Sequence, residues 1–109
     1  MEVHIAAFYC RPKELSQNVQ RAITTCTSIL PDDGNNVIIG DFNTDDRKYQ
    51  HLTTFLESKS YNQLVTEETT NNHTTIDLIF TNIVDDRRRH GVLEIYFSHH
   101  KPVWISVSN

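Results

Sequence analysis

Val37-Ile38-Ile39-Gly40-Asp41-Phe42-Asn43 is a short apolar run that stops at a glycine and gives way at once to an acid and an amide. Three β-branched residues in succession predict a strand buried on both faces. Gly40 lets the backbone turn, so that Asp41 and Asn43, two residues apart, can project to the same side. A carboxylate there can activate water or hold a metal, and an amide can orient either one without adding charge. The same two residues also suit a plain turn, in which Asp and Asn bond to the neighbouring backbone.

Upstream, Pro31-Asp32-Asp33-Gly34-Asn35-Asn36 gathers turn formers into a loop leading to this strand. Before it, Leu15, Val19, Ala22, Ile23, Cys26, Ile29 and Leu30 recur at three- and four-residue steps, the stripe of an amphipathic helix. Pro12, within Arg11-Pro12-Lys13, suits the opening of that helix. The chain begins on Glu2 to Tyr9, whose loose alternation and terminal aromatics predict a strand.

Downstream, Thr44 and Asp45 offer caps for a second helix with Tyr49, Leu52, Phe55 and Leu56 on one face, ending near Lys59. Gln63 to Thr66 predicts a short strand, Glu67 to Thr74 a polar loop, and Thr75 to Thr81 another core strand. Asp77 inside that last segment is costly unless paired or hydrogen-bonded. Asp85-Asp86-Arg87-Arg88-Arg89 reads as a solvated hairpin or loop, with a phosphate-contacting basic cluster as the alternative. Val92 to Phe97 and Val103 to Val107 close the chain as two strands around Ser98-His99-His100-Lys101-Pro102. The order predicts a layered α/β fold in one domain.

At 109 residues and 38% hydrophobic content, the chain has the composition of a folded domain with a modest core. Its formal charge of -4 argues against nucleic-acid binding by charge alone, although a nuclease with a carboxylate-rich metal site is itself acidic. Cys10 and Cys26 form no CxxC pair and no zinc-spaced set with histidine, so buried or idle thiols are expected. No apolar run approaches the roughly 20 residues of a membrane span, and the start lacks signal-peptide order, which predicts an intracellular, soluble protein.

Three polar clusters thus stand at predicted strand ends: Asp41 with Asn43, Asp77, and His99 with His100. In a layered α/β fold such ends can converge on one face. A carboxylate paired with an imidazole gives an acid/base dyad, the acid fixing the tautomer and favouring the charged ring. Each of these residues also has an ordinary surface or core role.

The order of these clusters, as well as their content, resembles the C-terminal half of the endonuclease/exonuclease/phosphatase superfamily, most of all the endonuclease domains of non-LTR retroelements and helicase-attached transposons. Phe8-Tyr9-Cys10-Arg11-Pro12 is similar to the family's YRxP segment, and Ile39-Gly40-Asp41-Phe42-Asn43 to its GDFN motif. Thr74-Thr75-Ile76-Asp77-Leu78-Ile79-Phe80 resembles its TxID segment, and Phe97-Ser98-His99-His100-Lys101-Pro102-Val103 its SDHxPV motif. The resemblance implies a partial four-layer α/β sandwich, with mostly antiparallel strands and two amphipathic helices, covering residues 1–109 as the C-terminal portion of one such domain.

The resemblance also implies roles. Tyr9 would contact the scissile phosphate, Asp41 would orient and deprotonate the attacking water, and Asn43 would hold that water or the phosphate. Asp77 would pair with His100, which would stabilise charge on the phosphate in the transition state. Ser98 joins the substrate-binding set, and Thr69 is the candidate for the family's supporting threonine. The implied cofactor is Mg2+ or Mn2+, with Asp41 as ligand, and the implied partner is DNA, acted on in the nucleus if genomic.

Two departures from the family pattern set further expectations. His99 stands where the family has the acid of SDH, a poor exchange for a hard oxygen ligand. The family's metal-binding Glu and a further Asn come from an N-terminal half that has no counterpart here, and Glu2 lies too near Tyr9 to substitute. Weak metal binding, impaired hydrolysis or a need for a partner chain is therefore expected. So is exposed apolar surface at Ile5, Ile38 or Ile79, or a rearranged compact form.

Overall fold

The protein is described by a computed structural model covering residues 1–43 and 50–109. The helix-cap residues Thr44 and Asp45, and Tyr49, lie outside the described residues. A central sheet has the order β1-β2-β4-β3, from β1 (Val3–Tyr9), β2 (Asn35–Asp41), β3 (Asn62–Gln63) and β4 (Asp77–Thr81). β1 pairs with β2 in parallel across the helix α1 (Ser16–Ile29), whereas β2 with β4 and β3 with β4 are antiparallel. β5 (Arg88–Val92) and β6 (Val103–Val107) form a separate antiparallel pair.

Strand alternation sends side chains of the central sheet to two cores. On one face Ile38, Leu78 and Phe80 meet Val19 and Ile23 of α1 and Leu52 and Leu56 of α2 (Gln50–Ser58). Phe42, just past β2, stacks on Phe8 at 5.8 Å and meets Phe80 edge-on at the same distance. On the other face Val37 and Ile79 pack with Leu64, Val65 and Ile83 under Val92, Val103, Ile105 and Val107 of the β5–β6 pair. The result is three layers, helices, sheet and small sheet. Among the described residues no helix is long and apolar enough to cross a membrane.

The small sheet corrects one expectation. Ile38 and Ile79 are fully buried, because helices cover the first and the β5–β6 pair the second; only Ile5, on the edge strand β1, stays exposed at 66%. The α1 stripe is also narrower than predicted. Val19, Ile23 and Thr27 are its buried row, while Leu15, Ala22 and Ile29 face solvent. Pro12 lies in a turn ahead of the helix, and the entry is organised instead by the Glu14 carboxylate. It accepts bonds from Arg11 Nε, Asn18 Nδ2 and the Leu15 N–H, which hold its pKa below the ordinary range.

Strand boundaries shift too. β2 starts at Asn35, inside the predicted loop, because Asn82 lends side-chain bonds there: its Oδ1 accepts from the Asn36 N–H at 2.8 Å and its Nδ2 donates to the Gly34 carbonyl. The charge run is a 3₁₀ turn at Asp85–Arg87 followed by β5, and the predicted strand from Val92 to Phe97 is a loop after Val92. The apolar content of Leu93, Ile95, Tyr96 and Phe97 suggested a strand, but among the described residues no neighbouring strand pairs with them beyond the Leu93 N–H to Pro102 carbonyl bond.

Candidate active site

Register builds the site. Asp41 is the ladder partner of Tyr9 on one side and of Asp77 on the other, so the three residues form one rung across β1, β2 and β4. Partners in a rung point to the same face, here the face carrying Ile39 and Ile79, beyond the cover of the β5–β6 pair. Gly40 makes this rung attainable. A Cβ at Gly40 would lie 1.9 Å from the Phe8 carbonyl oxygen, and its φ of +158° is one that L side chains rarely adopt, so only glycine lets β1 pair closely here.

His100 completes the cluster from the loop before β6. Its Nδ1 lies 2.9 Å from Asp77 Oδ2 and its Nε2 3.7 Å from Asp41 Oδ2. An ionised carboxylate can only accept, so Nδ1 carries the proton and donates it to Asp77, which turns Nε2 toward Asp41. The second gap exceeds a direct hydrogen bond and suits a shared water or phosphate oxygen. Ligand atoms of Asp41, Asp77 and His100 all lie within 4.8 Å of one another.

Burial raises the Asp41 pKa above the ordinary carboxylate range. The neighbouring Asp77 charge adds to the rise, while the Asn43 N–H bond and His100 oppose it. Asp41 is therefore a carboxylate held basic, the property wanted in a group that takes a proton from water. A divalent cation would relieve the Asp41–Asp77 repulsion, and two carboxylates with waters and phosphate oxygens form a donor set that suits Mg2+. The residues present thus fit a divalent metal. They would hold it through Asp41 and Asp77, with His100 alongside.

The turn expected of Asp41 and Asn43 is present. Asn43 takes the left-handed conformation (φ 53°) that asparagine tolerates, its N–H donates to Asp41 Oδ1 at 2.9 Å, and its side-chain amide donates to the Cys10 carbonyl. The turn fixes the Asp41 carboxylate and ties the end of β1 to that of β2.

Thr69 is fully buried. Its Oγ1 accepts from the Ile76 and Asp77 N–H groups at 3.1 and 3.2 Å, and its carbonyl accepts from Lys101 N–H at 2.8 Å. One threonine thus holds the Asp77 backbone and the residue after His100. Thr70, bridged to His100 and hydrogen-bonded to Thr74 at 2.6 Å, braces the same joint. Sequence reading missed Thr70, although the paired threonines at 69–70 and 74–75 were a visible signal.

Tyr9 is 72% exposed at the end of the rung. Ser98 and His99 are also exposed; Ser98 Oγ accepts from His100 N–H at 3.3 Å, which leaves its own proton free for a ligand. The His99 ring sits edge-on to His100 at 5.6 Å but, among the described residues, stands outside the three-ligand cluster.

No curated protein sequence matches the chain. Among solved structures it is similar to one described as CdtB, the biologically active subunit of cytolethal distending toxin, with a TM-score of 0.66 at 14% identity. The match covers 94% of this chain and 47% of that one, so the chain spans about half the length of its structural relative. The likeness shows a shared fold. The sequence profile of the family described as endonuclease-reverse transcriptase matches residues 3–104, and the chain belongs to that family.

Proposed function

We propose that the chain carries the water-activating side of a divalent-metal-dependent phosphodiesterase, a DNA endonuclease of mobile-element type. The observation that carries this reading is the convergence of Asp41, Asp77 and His100, drawn from β2, β4 and the loop before β6. Membership of a family described as endonuclease-reverse transcriptase supports the substrate class.

In the proposed reaction a water placed by Asp41, with Asn43 fixing that carboxylate, attacks the phosphorus in line. Its proton passes to Asp41, a phosphorus–oxygen bond forms to the water oxygen, and the ester bond to the leaving oxygen breaks, that oxygen taking a proton from solvent water. His100, with Nδ1–H held by Asp77, donates from Nε2–H in the charged form of its ring to a phosphate oxygen as negative charge grows, with Ser98 and Tyr9 as further donors at the rim. A bound Mg2+ or Mn2+ supplies Lewis-acid charge at the same oxygens. Turnover is slower than in a site with an acid at position 99, because His99 adds no hard oxygen ligand. Action on genomic DNA would place the protein in the nucleus.

The test is nicking of supercoiled plasmid with and without Mg2+, using Asp41→Ala and His100→Ala as controls. Metal-dependent nicking lost in both variants supports the roles; equal nicking by all three proteins discards them. The exposed Ile5 on edge strand β1 favours a second reading, in which a partner segment packs there and completes the site. That reading predicts nicking only after an N-terminal half from a family member is added.

A further inference from the structure

Tyr96 and Phe97 are 98% and 87% exposed, beyond every other large apolar side chain among the described residues. Core packing does not explain them, since β5 ends at Val92 and neither ring joins a hydrophobic cluster. They are held at a fixed place all the same. The loop is closed at its base by the Leu93 N–H to Pro102 carbonyl bond at 2.9 Å and by Lys101 Nζ to Glu94 Oε1 at 3.2 Å. On the far side, His99 is pinned through its carbonyl to the Asn71 N–H, and His100 through its ring to Asp77.

From these observations we infer that Tyr96 and Phe97 form a stacking platform for nucleobases next to the phosphate bound at His100. The inference rests on the phosphodiesterase reading above and names the part of the substrate that reading leaves unread. Phe97 and His100 are three steps apart along the chain, a span of at most about 11 Å, whereas phosphates along one DNA strand repeat every ~3.4 Å of helix axis. The rings therefore serve bases within about three nucleotides of the scissile bond. The loop offers aromatic faces at positions 96 and 97, followed directly by phosphate donors at Ser98, His99 and His100.

Stacking on an exposed ring requires an unstacked base and tolerates any sequence, so the preferred substrate is single-stranded or locally opened DNA. A lipid surface also accepts exposed aromatics, but it gives no role to their position three and four steps along the chain from His100.

The experiment measures fluorescence anisotropy of a labelled oligothymidine and of a fully paired duplex with the full chain, wild type and Tyr96→Ala/Phe97→Ala. Each lost ring weakens oligothymidine binding by about five- to 150-fold, with a smaller effect on the duplex. Tyr96→Phe and Phe97→Trp restore it, which a purely structural role would not require. Hydrolysis of bis(p-nitrophenyl) phosphate, which has no nucleobase, separates the two levels. If Asp41→Ala leaves that hydrolysis untouched while the rings still govern oligothymidine binding, the catalytic reading falls and the platform stands. Oligothymidine affinity that is absent in wild type or unchanged in the double variant overturns the platform. So does a double variant whose only loss is binding to phosphatidylcholine vesicles, which would assign the rings to a membrane.

Discussion

Asp77 and His100 can be tested by a double-mutant cycle, comparing wild type with Asp77→Asn, His100→Ala and the pair. A hydrogen bond to a charged group contributes about 1.5–3 kcal/mol, and the 2.9 Å contact to the Asp77 carboxylate, itself 13% exposed, is of that kind. The His100 side chain is 38% exposed, so water screens the pair and the expected coupling falls to about 1 kcal/mol. Asp77→Asn also removes the repulsion that raises Asp41. That gain occurs with and without His100, so the cycle largely cancels it. Urea unfolding at neutral pH and low salt gives the four stabilities. A coupling of about 1 kcal/mol agrees with the structure, and one below about 0.3 kcal/mol, within ordinary additivity, would refute the claim that Asp77 positions the imidazole.

Asp41→Asn should make the protein more stable at neutral pH. A carboxyl whose native pKa is raised binds more protons folded than unfolded, so its contribution is most favourable below its ordinary value, falls as pH rises through the raised one and stays unfavourable above it. Urea titrations at several pH values should show the variant's advantage vanish on acidification, and an advantage independent of pH would exclude the mechanism. Thr69→Val keeps the shape but leaves the Ile76 and Asp77 N–H groups without their hydroxyl acceptor; a loss of about 1–3 kcal/mol is expected by denaturant unfolding. His99→Asp should tighten Mg2+ binding, read as a larger Mg2+-induced rise in melting temperature than wild type shows.

The elements were legible where one local rule governs them. Val37-Ile38-Ile39 announced a buried strand because β-branched residues between apolar layers have few other places to go, and Leu52 and Leu56 marked the buried row of α2. Legibility failed where partners distant in sequence decide. Asn35 enters β2 because Asn82 reaches across to it, and Leu93 to Phe97 leaves the sheet because its apolar side chains find no facing strand. The single rung of Tyr9, Asp41 and Asp77 lay beyond composition and periodicity altogether, since register is fixed by the packing of the whole sheet.

That register also explains why the site is strained electrostatically rather than sterically. The core needs Val37, Ile39 and Ile79 on the face beneath the β5–β6 pair, and period-two alternation then forces Asp41 and Asp77 onto the same face one step further along. Two acids in adjacent strands repel, and burial of Asp41 adds to the cost. His100 offsets part of it by bonding Asp77 and facing Asp41, but a single imidazole carries at most one positive charge against two carboxylates. The remaining negative charge is what a divalent cation would neutralise, and in the proposed reaction the same burial and repulsion that disfavour the Asp41 carboxylate also fit it to take a proton from water.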